Sequence, residues 1–211
     1  MRIRPVVLLY LISGLNYAAA PINGWYSEIF GGYTYIAGNI NTTYTGYTFN
    51  RSAYNSGYNG GGRIGFKDYP MRYEGEISYL TAFPSQYYVD NVRQTGYSGM
   101  TSATAALANV YFDFPEIIIT LTPYLSGGIG YAYLSTNLTS TGPTTTYQFR
   151  NSGSVFAYQG SAGLSYNFAN NYSLDVAYRY LGTTTSGMGV PFQAHMAIAG
   201  ATYRFDGENY K

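Results

Sequence analysis

The sequence contains no cysteine, which excludes a disulfide scaffold, a thiolate metal site and a cysteine nucleophile together. A thiol-free chain also suits export, because it avoids oxidative mispairing in a periplasm. Charge is scarce: Asp, Glu, Lys and Arg make up 10% of the residues, against roughly a quarter in an ordinary soluble domain. The charge present nearly cancels. Formal net charge is +1, and without Arg2 and Arg4 the 11 basic residues fall to nine against 10 acidic ones. There is no basic run or patch, so the electrostatic footprint of a nucleic-acid binder is missing and nucleic acid is not an expected partner. Beyond the N-terminus, no stretch is apolar enough for a transmembrane helix. A single histidine with no cysteine makes a metal site a poor reading.

What is abundant is tyrosine and glycine, 27 and 26 residues in a chain of 211. They follow no short period, so collagen-like and low-complexity readings fail, while both suit strands and tight turns. The length fits one domain. At the N-terminus, Arg2 and Arg4 precede the apolar stretch 6–15 and then Ala18, Ala19 and Ala20. This reads as a secretory signal peptide over 1–20, leaving 21–211 as the folded domain. An uncleaved anchor is the alternative, although the apolar stretch is shorter than the ~20 residues a spanning helix needs.

The remainder divides into eight segments of alternating pattern, roughly 24–36, 58–68, 71–82, 101–114, 122–134, 154–168, 172–182 and 193–205. In 71–80, Tyr73, Ile77 and Tyr79 point one way while Arg72, Glu74, Glu76 and Ser78 point the other. In 172–181, Tyr172, Leu174, Val176, Tyr178 and Tyr180 oppose Ser173, Asp175, Ala177 and Arg179. An eight-stranded interior is only wide enough for side chains to fill, and so many tyrosines would overfill it. The pattern therefore predicts an inverted barrel, apolar outside and polar inside: all-β, eight antiparallel up-and-down strands spanning a membrane. Connections alternate short (68–70, 114–121, 169–171) and long (37–57, 83–100, 135–153, 183–192), as periplasmic turns and extracellular loops do. Pro70, Pro84, Pro115, Pro123, Pro143 and Pro191 all fall in connections or at strand starts, where no ladder hydrogen bond is lost.

The inward face collects Glu28, Arg63, Lys67, Arg72, Glu74, Glu76, Asp113, Asp175, Arg179 and Arg204, five acids and five bases. Buried charges must be paired or solvated. The favoured reading is a structural salt-bridge network that plugs the lumen, since eight strands leave no room for an open channel. A charged constriction in an ion pathway is the alternative. Outward aromatics near strand ends, among them Trp25, Tyr33, Tyr35, Phe66, Tyr131, Tyr178 and Phe205, read as interface girdles, because such rings settle at the headgroup level. A sugar- or base-stacking platform is the sharper alternative.

His195 has to be weighed as a catalytic base, but its same-face neighbours are Gln193 and Ala197, and no nucleophile or orienting acid completes a triad. The glycine clusters 60–62 and 127–128 are not followed by a Lys-Ser/Thr or a helix and are not phosphate loops. The expectation is no catalytic, metal or cofactor site. Function is then expected in the long loops, whose Tyr, Ser, Asn and Thr with occasional Arg resemble the composition of adaptable binding surfaces. The candidate contacts are Tyr44, Tyr47, Phe49, Arg51, Tyr54, Arg93, Tyr147, Phe149 and Arg150. Merely solvated loops are the alternative.

The stretch LANVYFDFPEIIITLTPYLSGGIGYAYLS, residues 107–135, resembles a central hairpin of the opacity/OmpA-like outer-membrane β-barrel family. There, a strand ending in a Tyr-x-Asp-Phe-like motif turns into Thr-Pro-Tyr and a glycine-rich strand. LDVAYRYLG (174–182) and AIAGATYRF (197–205) resemble the family's last two strands. The resemblance covers essentially the whole mature chain. It implies residence in the outer membrane of a Gram-negative bacterium, with outer-membrane lipid, lipopolysaccharide and the outer-membrane assembly machinery as partners. The sequence departs from the family at its end, where DGENYK follows the terminal aromatic Phe205. The family includes adhesins, surface antigens and structural proteins, so the expected role is a surface-exposed anchor whose loops contact a host or environmental ligand. A purely structural protein and a narrow, low-conductance pore remain alternatives.

Overall fold

The computed structural model describes residues 23–205 apart from 38–40, 45, 95, 118–119, 142–145 and 186–188. The expected leader and the residues after Phe205 lie outside the described residues. In chain order the strands are β1 (Gly24–Ile36), β2 (Asn41–Tyr44), β3 (Tyr47–Tyr54), β4 (Gly57–Asp68), β5 (Met71–Ala82), β6 (Pro84–Val89), β7 (Val92–Arg93), β8 (Gly96–Asp113), β9 (Leu121–Thr141), β10 (Thr146–Asn167), β11 (Tyr172–Thr185) and β12 (Pro191–Arg204). Eight of them close into an antiparallel barrel in the order β1-β12-β11-β10-β9-β8-β5-β4. Closure is direct: β1 pairs with β12 from Tyr26 opposite Arg204 to Ile36 opposite Ala194, and with β4 on its other side.

The expected segments correspond to these eight strands, and the alternation inside them sets which side chains enter. Val176 (54% exposed) and Ile77 (66% exposed) face out, whereas Asp175 and Glu76 on the same strands are buried. Two bands of outward aromatics encircle the barrel. The band at the short-turn end holds Trp25, Phe66, Phe112 and Tyr172; the band at the long-loop end holds Tyr33, Tyr35, Tyr131, Tyr133 and Tyr178. Between them lie aliphatic and small residues such as Ile29, Ile77, Leu125, Leu174 and Val176. Proline obeys the ladder. Pro84 and Pro191 open their strands, and the pairing of β9 with β8 begins only at Tyr124, one residue after Pro123.

Two expectations about the interior and the loops need correction. The charged residues of the lumen occupy only its short-turn half. Its long-loop half is filled by an apolar cluster that includes Ile36, Leu80, Leu107, Leu134, Leu181, Phe192, Met196 and Ile198, because the inward positions of those strand halves carry aliphatic rather than charged residues. The long connections are also not simple loops. β9 and β10 run on past the barrel as one paired ladder to Thr141 and Thr146, and β2-β3-β6-β7 form a second sheet. Asp90 and Asn91, both at positive φ, make the tight turn between Val89 and Val92 that joins β6 to β7.

Replacing Val176 or Ile77 by Arg is expected to cost about 2–4 kcal/mol of folding free energy at mid-bilayer depth. Urea titration of folding into phospholipid vesicles measures this, and Val176→Leu serves as the near-neutral control.

Candidate functional site

All ten charged residues assigned to the lumen are buried there, and the strand order explains how they meet. Arg63 on β4 lies opposite Glu28 on β1 and Glu76 on β5 in the ladders. Its Nη2 pairs with Glu28 at 2.9 Å and its Nη1 with Glu74 at 3.3 Å. Lys67 Nζ reaches Asp113 at 2.7 Å, and Arg72 Nε donates to the other oxygen of the same carboxylate at 3.0 Å. Across the barrel, Arg179 Nη1 binds Glu76 Oε1 at 2.7 Å, while Asn109 and Gln159 donate to Glu76 Oε2.

Two of the ten do not join this set. Asp175 accepts from Thr202 at 3.0 Å, and Arg204 donates to Asn167 and Ser173. Among the described residues neither has an ion-pair partner. Gly200 sits between Phe30 and Asp175 in the sheet, and a Cβ there would collide with Glu28 Oε1, so glycine is what lets Glu28 extend across the wall.

Aromatic rings complete the network, and sequence reasoning missed them. The guanidinium groups of Arg63 and Arg179 each lie 4.7 Å from the Phe30 ring centroid, and Arg72 lies 4.6 Å from that of Tyr111 and 4.8 Å from that of Tyr124. Such stacking is attractive for a desolvated cation. Tyr26 donates to Glu74, and Arg63 donates to the Tyr111 hydroxyl. Rings of this size fit because the facing positions are glycine: a Cβ on Gly61 would lie 2.7 Å from Phe30 Cζ. The available signal was parity, since Tyr26 and Phe30 share the alternation phase of Glu28, Tyr111 that of Asp113, and Tyr124 that of the polar Thr122.

The loop candidates separate into three groups. Tyr47, Arg93 and Arg150 are exposed. Phe49, Phe149 and Tyr54 are buried and, against expectation, are not surface contacts. Phe49 and Phe149 face each other at 5.1 Å between ring centroids and join Val89 and Leu138 in a small core outside the barrel. Tyr54 packs on the apolar lumen layer and hydrogen-bonds Thr101 at 3.1 Å. Strand alternation in the extended hairpins turned these rings inward. The side chains of Tyr44, Arg51 and Tyr147 lie outside the described residues. His195 is on the outer face, bonded to Tyr178 and flanked by tyrosine rings.

Glu76→Ala would leave Arg179 without its carboxylate and is expected to destabilise the barrel by about 3–5 kcal/mol, the usual cost of an orphaned buried charge. Replacing Glu76 and Arg179 together by Leu and Met is expected to recover most of that loss. Equilibrium unfolding in vesicles compares the single with the double variant.

Known proteins place this architecture. Uncharacterized proteins of Brucella abortus, Brucella suis and Brucella melitensis are each 38% identical over 101 residues, which is 45% of this chain, and the chain spans 33% of their length. Neisserial surface protein A superposes with a TM-score of 0.56 at 14% identity, covering 86% of this chain and 97% of that one. The outer membrane protease OmpT from Escherichia coli superposes at 0.51 with 9% identity, covering 90% and 100%. At such identities these likenesses concern the fold alone. Residues 6–205 match the family described as outer membrane protein beta-barrel domain, and with its closed eight-stranded barrel and outward aromatic bands the chain belongs to that family.

Proposed function

We propose that this protein is a surface-displayed outer-membrane barrel, exported through its N-terminal leader, in which the barrel is a sealed anchor and the long-loop end contacts a host or environmental ligand. The observation that carries the reading is the folded cap. Two of the long connections supply the four strands of a second sheet, β2-β3-β6-β7, and its Phe49 and Val89 join Leu138 and Phe149 of the extended β9–β10 hairpin in a separate core. Ordering a segment costs roughly 1–2 kcal/mol per residue in backbone entropy alone, and a structural anchor has no use for a loop that offsets this cost with a private core. Tyr47, Arg93 and Arg150 stand exposed on the cap, the mixture of aromatic and arginine residues that dominates binding hot spots.

The reading assigns no enzymatic role. The lumen carboxylates are engaged with guanidinium, amide and hydroxyl groups. A pore is disfavoured by the same filling: an ion crossing the lumen would have to pass Phe30 with Arg63 and Arg179 and then the layer of Leu80, Leu107, Leu134 and Leu181, at a high desolvation cost. The loop-length rule puts the cap outside the cell and the short turns in the periplasm.

Intact cells displaying the protein are expected to adhere to cultured host cells or immobilised matrix proteins. Arg93→Ala with Arg150→Ala should weaken adhesion while the barrel remains heat-modifiable on gels. Equal adhesion by both forms removes the ligand-binding role and leaves a structural protein. Phe149→Ala should open the cap, seen as faster protease cleavage at the long-loop end with barrel assembly preserved. Epitope tags near Tyr47 and Asn170 report orientation: surface labelling is expected at Tyr47, and labelling at Asn170 alone reverses the topology.

A further inference from the structure

One cluster serves neither the lumen nor the cap. His195, the only histidine of the chain, lies on β12 directly opposite Tyr35 of β1 and Tyr180 of β11. Tyr178 is its diagonal neighbour, within the reach of long side chains across a sheet. The imidazole ring is 6.2 Å from Tyr35, 6.1 Å from Tyr178 and 5.3 Å from Tyr180, and Tyr180 meets Tyr158 of β10 at 6.3 Å. Tyr178 Oη and His195 Nδ1 are 2.6 Å apart. With the imidazole proton on Nε2, the phenol donates to Nδ1. The rings face away from the lumen, in the aromatic band at the long-loop end.

We propose that the Tyr178–His195 pair is a one-electron oxidation site that reduces organic peroxyl radicals arriving at the outer leaflet. A phenol gives up an electron readily only when its proton leaves in the same step, because the oxidised phenol is a very strong acid. A base already hydrogen-bonded to the hydroxyl supplies the destination. The electron passes from Tyr178 to the peroxyl radical, and the O–H proton moves along the hydrogen bond to His195 Nδ1. Water protonates the resulting peroxide anion to a hydroperoxide, and the hydroxide so formed takes the proton from the imidazolium. The net change is a peroxyl radical plus phenol giving a hydroperoxide plus a tyrosyl radical, with the imidazole regenerated. A water-soluble one-electron reductant such as ascorbate, together with a proton from water, then returns the radical to the phenol.

The other aromatic band supplies an internal control. Tyr172 is equally exposed in it and stacks on Phe168 beside Tyr203, but the chain has no second histidine to pair with it. The two tyrosines are similarly exposed and lie in the bands at opposite ends of the barrel, and of the two it is Tyr178 that has an imidazole bonded to its hydroxyl. His195 acts here as the proton acceptor that positions Tyr178 for oxidation.

The test uses the folded protein in vesicles of saturated phosphatidylcholine, with peroxyl radicals generated from a lipid-soluble or a water-soluble azo initiator and a nitroso spin trap present. Peptide mass spectrometry is expected to find the adduct severalfold more often on Tyr178 than on Tyr172, with formation on Tyr178 slowed in heavy water. His195→Gln is expected to bring Tyr178 down to the level of Tyr172 and to abolish the heavy-water effect, while Tyr172→Phe leaves Tyr178 unchanged. The wild-type comparison needs no variant and stands even if His195→Gln assembles poorly. Labelling of Tyr178 in excess of Tyr172 by either initiator supports the site and tells from which phase the radical comes. Equal labelling of Tyr178 and Tyr172 overturns the proposal, as does labelling by neither initiator or a His195→Gln protein that reacts like wild type.

Discussion

Hydrocarbon offers a peptide group no hydrogen-bond partner, so a chain that crosses a membrane as strands must pair every N–H and C=O with a neighbouring strand and leave no edge. The β1–β12 ladder satisfies that constraint. Once the sheet is closed, each strand has one face toward lipid and one toward a space only a few side chains wide. Both the outward bands of aromatics and the filled lumen follow from this division.

The filling is graded along the axis. Toward the short turns, four basic residues and four carboxylates interlock across five strands, with Phe30, Tyr111 and Tyr124 stacked against the guanidinium groups. Toward the long loops the charges give way to aliphatic side chains and hydrogen-bonded threonines. A network of paired charges tolerates neither the loss of one partner nor a poor fit, so it specifies the strand register: a one-residue slip would point all of these groups into lipid. The apolar layer needs only volume and closes the lumen above it. Tyr54, arriving from β3, joins that layer, so the cap and the barrel share a boundary.

Outside the bilayer the same alternation continues. β9 and β10 carry their ladder beyond the aromatic band, which brings Leu138 and Phe149 to the side facing Phe49 and Val89. The cap is thus an extension of strand geometry rather than an independent domain, and its exposed residues are those of opposite phase.

Much of this was legible in the sequence, because a period of two is a local property that needs no knowledge of neighbours. Alternation in 71–82 and 172–182, with glycine, asparagine and proline between segments, was enough to place eight strands and to send Glu76, Asp175 and Arg179 inward. The identities of the partners were not legible. That Arg179 binds Glu76, that Arg72 meets both Tyr111 and Tyr124, and that Phe49 meets Phe149 all depend on ring closure and register, which bring together residues as many as 103 positions apart in the chain. The loops misled for the same reason: a Tyr, Asn and Thr-rich segment reads as solvated until a second segment arrives to bury one of its faces. The sequence alone determined which side of the wall each side chain occupies, since that is set by parity along one strand. Only the tertiary structure decided which side chains touch, since contact is set by the shear and closure of strands distant in the chain.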